Sequence, residues 1–215
     1  MTETEEKITL KGEDWSIKES IKYLAIAIIG TLVLFILLDN YLLLWIAAYG
    51  SKWFLDIINI PTTVQYVYVA FYSLHNHIYI MDSATMGTLF SFEIINACAA
   101  IEGLALISAL IIATPTSWKR KGAALGFFIP SIILANFFRI ALTVVMWLNG
   151  FSLYIAHEVI AAALTIIFIF IFVIIINSYI IPSFIDSMIG MVKGFYNGIT
   201  KRGGKIEEAS RPINN

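Results

Sequence analysis

Hydrophobic residues in this 215-residue chain gather into four long runs, which are separated by shorter polar or aromatic stretches. A helix needs about 20 mostly apolar residues to cross the hydrocarbon core of a bilayer, and each run is close to that length. The first run could also continue as a helix through Tyr49. The predicted spans are Ile21–Leu38, a run from near Ile94 to just before Pro115, Ala123–Trp147, and Ile155–Ile181, closed by Pro182. This pattern predicts an all-α polytopic membrane protein.

Between the first and second predicted spans, residues 50–92 are rich in β-branched and aromatic residues with partial alternation. This pattern is typical of strands and not of a loose linker. The segments TVQYVYVAFY, HIYIMD and MGTLFSFEI therefore predict two or three short strands, or extended segments, laid over the outer ends of the helices. After Pro182, SFIDSMIGMVKGFYNGI has helical apolar spacing interrupted by glycines, which predicts a short interfacial helix.

Basic residues near the span ends predict the orientation. They cluster in the loop TPTSWKRKG and in the C-terminal tail, whereas residues 50–92 contain only Lys52. The positive-inside rule puts both basic clusters, and therefore both termini, in the cytoplasm. The predicted organisation is a cytoplasmic N-terminal segment (1–19), a membrane domain (20–181) with an extracytoplasmic segment (50–92), and a cytoplasmic C-terminal tail (182–215).

Composition narrows the classes of function. The chain is 59% hydrophobic, whereas soluble domains are roughly 45–50% apolar by a similar count. A net charge of −1 gives no reason to expect nucleic-acid binding. A single cysteine allows no internal disulfide and no CxxC metal or redox pair. The polar, acidic N-terminus does not resemble a cleaved signal peptide, so the first span is predicted to stay as a membrane anchor.

Ionisable residues inside the spans are the candidate functional groups, because each is costly in a membrane. They are Asp39, Cys98, Glu102, Arg139, His157 and Glu158. At about 1.5 Å per helical residue, Cys98 would lie roughly 25 Å above Thr114, and Arg139 roughly 25 Å above Gly122. His157 would lie slightly higher. Three helices are therefore predicted to bring a thiol, a guanidinium and an imidazole to nearly one layer at the outer side of the membrane.

These three residue types can together perform acyl transfer. A thiol is a strong nucleophile only as a thiolate, which a nearby cation or base favours. Histidine can accept the thiol proton and later return it to a leaving amine. Arginine stays charged and presents several fixed donors to a carbonyl or an oxyanion. Cys98, His157 and Arg139 therefore predict a nucleophilic acyl-transfer site.

Other interpretations remain open from the residues alone. A non-catalytic membrane scaffold or assembly protein would use Arg139, Glu102 and His157 as a structural polar cluster. A metal site could use His75 and His77, whose spacing puts both on one face of a strand, with His157 as a third ligand. A channel or transporter is less favoured, because no span is interrupted in a way that suggests an ion path.

The sequence around the three polar groups resembles the exosortase/archaeosortase family of membrane cysteine transpeptidase-like enzymes. In that family a cysteine opens a helix in a CTGIES-like context, an arginine follows in N-x-x-R on the next helix, and a histidine opens the one after. The segments NACAAIEG, ANFFRI and YIAHEV carry Cys98, Arg139 and His157 in the same order. The resemblance covers roughly residues 60–172, and IPTTV at Ile60–Val64 looks like the archaeal members, which indicates an archaeal source.

This chain departs from the family pattern directly after the cysteine. Ala99 and Ala100 stand where relatives usually carry Ser or Thr followed by Gly. The next two residues return to the pattern, and Glu102 agrees with the archaeal form of the motif. On a continuous helix Glu102 would share a face with Cys98 and could orient Arg139 or His157, or form a structural ion pair.

The resemblance implies a catalytic membrane domain with its active site near the extracytoplasmic face. Its substrates would be secreted or surface proteins with a C-terminal motif, a transmembrane helix and a basic cluster. Cys98 would form a thioester, Arg139 would stabilise charge, and His157 would protonate the leaving amine. A membrane lipid would be the acceptor. Glu102, Asn136 and Glu158 are predicted supporting residues, and no metal, other cofactor or nucleic acid is implied.

Overall fold

The structure, a computed structural model, describes residues 15–38, 41–67, 77–82, 91–94 and 100–209. The helix α5 is continuous but π-helical at both ends, over Tyr154–Ile160 and Ile176–Ile180. The helices within these residues are α1 (Ile17–Leu38), α2 (Tyr41–Ile57), α3 (Ile101–Ala113), α4 (Trp118–Leu148), α5 (Tyr154–Ile180) and α6 (Phe184–Ala209). Helical structure after the first span thus extends beyond Tyr49. Asp39 lies outside the described residues.

Three short strands form one antiparallel sheet in the order β1-β2-β3. They are β1 (Thr62–Val67), β2 (His77–Asp82) and β3 (Ser91–Ile94). Ile80 of β2 pairs with Phe92 of β3, and both are buried together with Ile94 against residues of α2 and α4. The alternation of apolar and polar residues puts this face inward, so the predicted strands are confirmed. We call this end of the helix bundle the sheet end.

Three helices are long and apolar enough to cross a membrane: α1, α4 and α5. The second predicted span corresponds to α3, an apolar helix of 13 residues, which is about 20 Å long. In α4, 39% of the most apolar 18-residue window is buried, against 11% in α1 and in α5, so α4 is the most buried of these three spans. The predicted all-α polytopic membrane fold with a small extended segment is confirmed.

The predicted start of the second span near Ile94 is wrong. Ser91–Ile94 pairs with β2 as a strand, and α3 begins only at Ile101. The pairing positions alternate across the sheet, and that period-2 pattern, not the apolar content, decides the structure there. The predicted height of Cys98 and its shared helix face with Glu102 both assumed a continuous helix, so neither follows from this structure.

The C-terminal helix α6 is 26 residues long and packs against the start of α1. Glycines at four-residue spacing allow this close approach. A Cβ at Gly194 would come within 2.3 Å of Ser20 Oγ and 2.7 Å of the Trp15 carbonyl oxygen. Glycine spacing of this kind lets helix backbones approach closely. The glycines that interrupt the apolar pattern are therefore a packing feature of a long helix. Its interfacial and cytoplasmic position stays a prediction.

Candidate active site

Arg139 lies in the sheet-end half of α4 and reaches across to α5. Its Nη1 donates a hydrogen bond to Thr165 Oγ1 at 2.9 Å, and Thr165 Oγ1 donates to the Ala161 carbonyl oxygen at 2.8 Å. The threonine hydroxyl therefore bridges the guanidinium to the backbone of α5. Because the hydroxyl points its proton at the carbonyl, its lone pairs are directed to the arginine.

A small cavity of about 10 Å³ adjoins the guanidinium, which is room for about one water molecule. Asn136 lines it and is 5% exposed. Residues three apart on a helix share a face, so the N-x-x-R spacing puts Asn136 and Arg139 together. We call this space the arginine cavity, and its lining residues are Ala100, Ile132, Ala135, Asn136, Arg139, Thr165 and Phe168.

His157 lies in the π-helical segment that opens α5. The Ala161 N–H donates to the Ala156 carbonyl oxygen, five residues back, as a π-helical turn requires. The His157 Nδ1 lies 3.1 Å from Glu158 Oε1, and the imidazole ring centroid lies 5.7 Å from that of Phe92. Short π-helical segments are rare and occur frequently at functional sites.

His157 faces a groove of about 390 Å³ between β3 and the start of α5. One wall is the strand β3, and the other is the π-helical turn. Glu93 and Glu158 bring two carboxylates to the groove. We call it the histidine groove, and its lining residues are Ser91, Phe92, Glu93, Leu153, Tyr154, His157 and Glu158.

Cys98 and Ala99 lie in residues 95–99, outside the described part of the chain. The described residues on either side of this segment belong to the two sites above. Before it, β3 lines the histidine groove. After it, Ala100 lines the arginine cavity. In chain order, Cys98 therefore stands between a strand beside His157 and a residue beside Arg139.

Ala100 has a left-handed backbone conformation, with φ 56° and ψ 29°, and it precedes α3 without a side-chain cap. For a residue with a Cβ this conformation costs roughly 1–2 kcal/mol. The other described non-glycine residue with positive φ is Asn59, which ends α2, where Ile60 N–H donates to the Leu55 carbonyl oxygen. Asparagine is a common residue at such helix ends. Ala100 has no comparable reason, and it stands at the glycine position of the CTGIES-like motif.

Glu102 lies in the first turn of α3, and its side chain is exposed. Within the described part of the chain, no hydrogen bond or ion pair joins it to Arg139 or His157. A carboxylate in this position interacts favourably with the N-terminal end of the helix dipole. Arg139 and His157 are also separated, since His157 lies eight residues, or roughly 12 Å, before Thr165 along α5. The scaffold interpretation, with Arg139, Glu102 and His157 as a structural polar cluster, stays a prediction.

The predicted metal alternative involves residues that are only partly described. His75 lies outside the described residues, and His77 is the first residue of β2, paired with Val67. Among the described residues, no group of three or more histidine, cysteine, aspartate or glutamate side chains could hold a metal ion.

Thr165 is the site residue that the sequence did not single out. It lies in an otherwise apolar run, ALTIIFIF, and a lone threonine in a membrane helix commonly bonds to the carbonyl four residues back. The feature of the sequence that could have identified Thr165 is its predicted depth in the bilayer. A hydroxyl that falls opposite an intramembrane arginine on the neighbouring span is a candidate partner for that arginine.

The fold and these side chains define a polytopic membrane protein with buried and partly buried polar groups at one end of its helix bundle. The family model for transmembrane exosortases matches residues 18–179, so the chain belongs to the transmembrane exosortase family. At the family level this membership implies a cysteine peptidase or transpeptidase that acts on secreted proteins with C-terminal sorting signals. No curated protein and no solved structure matches the chain significantly.

Proposed function

We propose that this protein is a membrane-embedded cysteine peptidase and acyltransferase that removes the C-terminal sorting tail of secreted or surface proteins. The new C-terminus would pass from Cys98 to a membrane lipid. The observation that carries the proposal is the chain path around the cysteine. The described residues before Cys98 in the chain line the histidine groove, and Ala100, two residues after it, lines the arginine cavity. We therefore assign the base to His157 and the cation to Arg139.

In the first half-reaction, His157 takes the proton from Cys98, and the thiolate attacks the scissile carbonyl of the tail. Arg139 stabilises the oxyanion of the tetrahedral intermediate. The carbon–nitrogen bond then breaks, and His157 gives its proton to the leaving amine. The product is a thioester between the substrate and Cys98, and the released tail keeps its transmembrane helix.

In the second half-reaction, His157 accepts a proton from the hydroxyl of the acceptor lipid, and the lipid oxygen attacks the thioester carbonyl. Collapse of the intermediate forms an ester and regenerates the thiolate, which recovers the proton from His157. Thr165 holds the guanidinium through the 2.9 Å bond. Glu158 contacts the imidazole Nδ1 and favours the charged ring that forms in each half-reaction.

Two surfaces support separate entry of the substrate and the acceptor. One wall of the histidine groove is β3, an edge strand of the sheet, which suits a short extended motif. An aromatic groove of about 420 Å³, which includes Phe54, Phe138 and Phe172, shares Ala135 and Phe168 with the arginine cavity. An apolar lipid chain in the aromatic groove would bring its headgroup hydroxyl toward Arg139, and this is why we favour a lipid over water as the acceptor.

The test is processing of a co-expressed reporter that carries a motif, a transmembrane helix and a basic cluster at its C-terminus. Cys98→Ala removes the nucleophile, so we expect cleavage to fall by at least about 10³-fold, as for other nucleophile deletions. The matched control is Ala99→Ser, which changes the adjacent residue and should retain cleavage. Membrane insertion and thermal unfolding should be alike in both variants. Normal cleavage by Cys98→Ala would exclude the proposed mechanism.

A further inference from the structure

A second cavity lies at the opposite end of the bundle, where α1 begins, α3 ends and α4 begins. We call this the basic end, because the loop TPTSWKRKG is there. The cavity has a volume of about 510 Å³, which is larger than the arginine cavity, the histidine groove or the aromatic groove. Its lining residues are Trp15, Glu19, Lys22, Tyr23, Ile26, Ile112, Ala113, Pro115, Trp118 and Lys121.

Lys121 is the most informative residue of this cavity, since it is only 9% exposed. Its Nζ donates to the Ile112 carbonyl oxygen at 2.5 Å and lies 4.7 Å from the centroid of the Trp118 ring. Among the described residues, no carboxylate lies within 4.0 Å of Nζ. A buried ammonium without a carboxylate partner is costly. It also has three donors, of which the carbonyl uses one.

A structural role explains part of this arrangement. Ile112 is in the last turn of α3, and a lysine commonly caps the free carbonyls of a helix C-terminus. Capping accounts for one hydrogen bond of Lys121. It does not account for the cavity beside the ammonium, nor for Lys22, a second lysine that lines the cavity from α1.

The one acidic side chain of the cavity is already engaged. Glu19 accepts hydrogen bonds from Ser16 N–H and Ser16 Oγ, both at 2.8 Å, in the Ser-x-x-Glu capping box that begins α1. Two lysines, Lys22 and Lys121, against the one carboxylate of Glu19 give the described lining of the cavity a formal charge of +1. Its remaining walls are apolar or aromatic, and Trp118 is 75% exposed, as is typical of tryptophan at a membrane interface.

We infer that this cavity binds the headgroup of an anionic phospholipid in the leaflet at the basic end. The phosphate would accept hydrogen bonds from Lys121 and Lys22. The acyl chains would follow Ile26 and the exposed apolar side of α1, which includes Ile29 and Val33. An apolar exit of this kind favours a lipid over a free phosphate, because a soluble anion would leave that surface uncovered. The inference does not depend on the proposed peptidase activity.

The experiment is native mass spectrometry of the full chain in detergent, titrated with dioleoylphosphatidylglycerol or dioleoylphosphatidylcholine. We expect the anionic lipid to bind at least about fivefold more tightly. Lys22→Gln should remove most of that preference. Lys22 is exposed, so this substitution avoids the risk that the variant fails to fold. Lys121→Gln should weaken anionic-lipid binding by about tenfold.

The matched controls are exposed lysines close to the cavity that do not line it. Lys18 lies one helical turn from Lys22, and Lys119 lies two residues from Lys121. The control variants are Lys18→Gln and Lys119→Gln. Both should keep the wild-type preference. An equal loss in these controls would indicate a diffuse basic surface and overturn the site. A preference kept in both cavity variants, or displacement of the lipid by millimolar inorganic phosphate, would overturn it as well.

Discussion

The two ends of the helix bundle differ in how regularly their helices begin. At the basic end, α1 begins with a Ser16–Glu19 capping box, and α4 begins with Ser117, whose side chain accepts from Arg120 N–H. At the sheet end, α3 begins with no side-chain cap beside the left-handed Ala100, and α5 begins with a π-helical turn. The irregular helix starts therefore lie beside the residues that we propose to be catalytic, whereas toward the basic end α5 finishes in a second π-helical turn, Ile176–Ile180.

This difference has a physical meaning. Strained or irregular backbone persists only where the surrounding structure holds it, and it clusters at active sites. At the basic end the helix caps, the packing of α1 against α6 and the glycine spacing agree with one another. Substitutions at the sheet end should therefore change activity more than stability, and those in the packed contacts at the basic end should do the reverse.

Apart from loss of the nucleophile itself, the largest effect should come from Arg139→Lys. Lysine keeps the charge but not the planar set of donors that holds an oxyanion and Thr165 together. We expect the cleavage rate to fall on the order of 10²-fold, with little change in thermal unfolding. Arg120→Lys, on the same helix but exposed at the basic end, is the control and should be active. Near-normal cleavage by Arg139→Lys would argue against an oxyanion role.

At the basic end, Gly194→Ala should mainly reduce stability. The added Cβ would meet Ser20 Oγ at 2.3 Å and the Trp15 carbonyl oxygen at 2.7 Å, so we expect a loss of about 1–3 kcal/mol. The control is Gly126→Ala, where a Cβ would meet nothing within 4 Å. That change should be neutral or stabilise the helix by up to about 1 kcal/mol. Chemical denaturation monitored by circular dichroism measures both, and equal effects would refute close packing of α1 and α6.

Thr165→Val should separate activity from stability at the sheet end. Valine has a similar shape but cannot accept the hydrogen bond from Arg139 Nη1. Since a hydrogen bond to a charged group is worth about 1.5–3 kcal/mol, we expect roughly a tenfold or greater loss of kcat. Thr165→Ser keeps the hydroxyl and should recover most of it. If both variants behave alike, the hydroxyl does not position Arg139.

The smallest effect should be a gain. Ala100→Gly relieves the left-handed backbone strain, and we expect the free energy of unfolding to rise by about 1 kcal/mol with cleavage retained. Ala123→Gly, at an exposed helical position of α4, is the control and should lose about 1 kcal/mol. A loss of stability in Ala100→Gly would contradict the positive φ at this position.

Much of the fold could be predicted because its signals are local. The long apolar runs predict α1, α4 and α5, and alternation in HIYIMD predicts β2. The start of α3 could not be predicted, because the apolar run from Ile94 suits a helix or a strand equally, and pairing with β2 decides between them. The seven-residue π-helical turn around His157 has no sequence signature of its own, since its residues would also suit an ordinary α-helix.

The candidate site was predictable to the extent that intramembrane charge is rare. Arg139 and His157 stood out for that reason, and Asn136, which was predicted as a supporting residue, lines the arginine cavity with Arg139. Thr165 was missed because an uncharged hydroxyl in a membrane helix can satisfy itself on its own backbone. Glu102 was expected near the other polar groups on the assumption of a continuous helix from Cys98, which the conformation of Ala100 interrupts.

The central claim is that Cys98 carries the substrate as a thioester. Its most direct test is peptide mass spectrometry of the wild-type chain, quenched with acid during turnover of a tailed substrate. We predict a substrate fragment attached to the peptide that contains Cys98 and released by neutral hydroxylamine. Two results would contradict the account. One is an adduct on another residue. The other is turnover by the wild-type chain with no adduct on Cys98, together with cleavage by the Cys98→Ala variant.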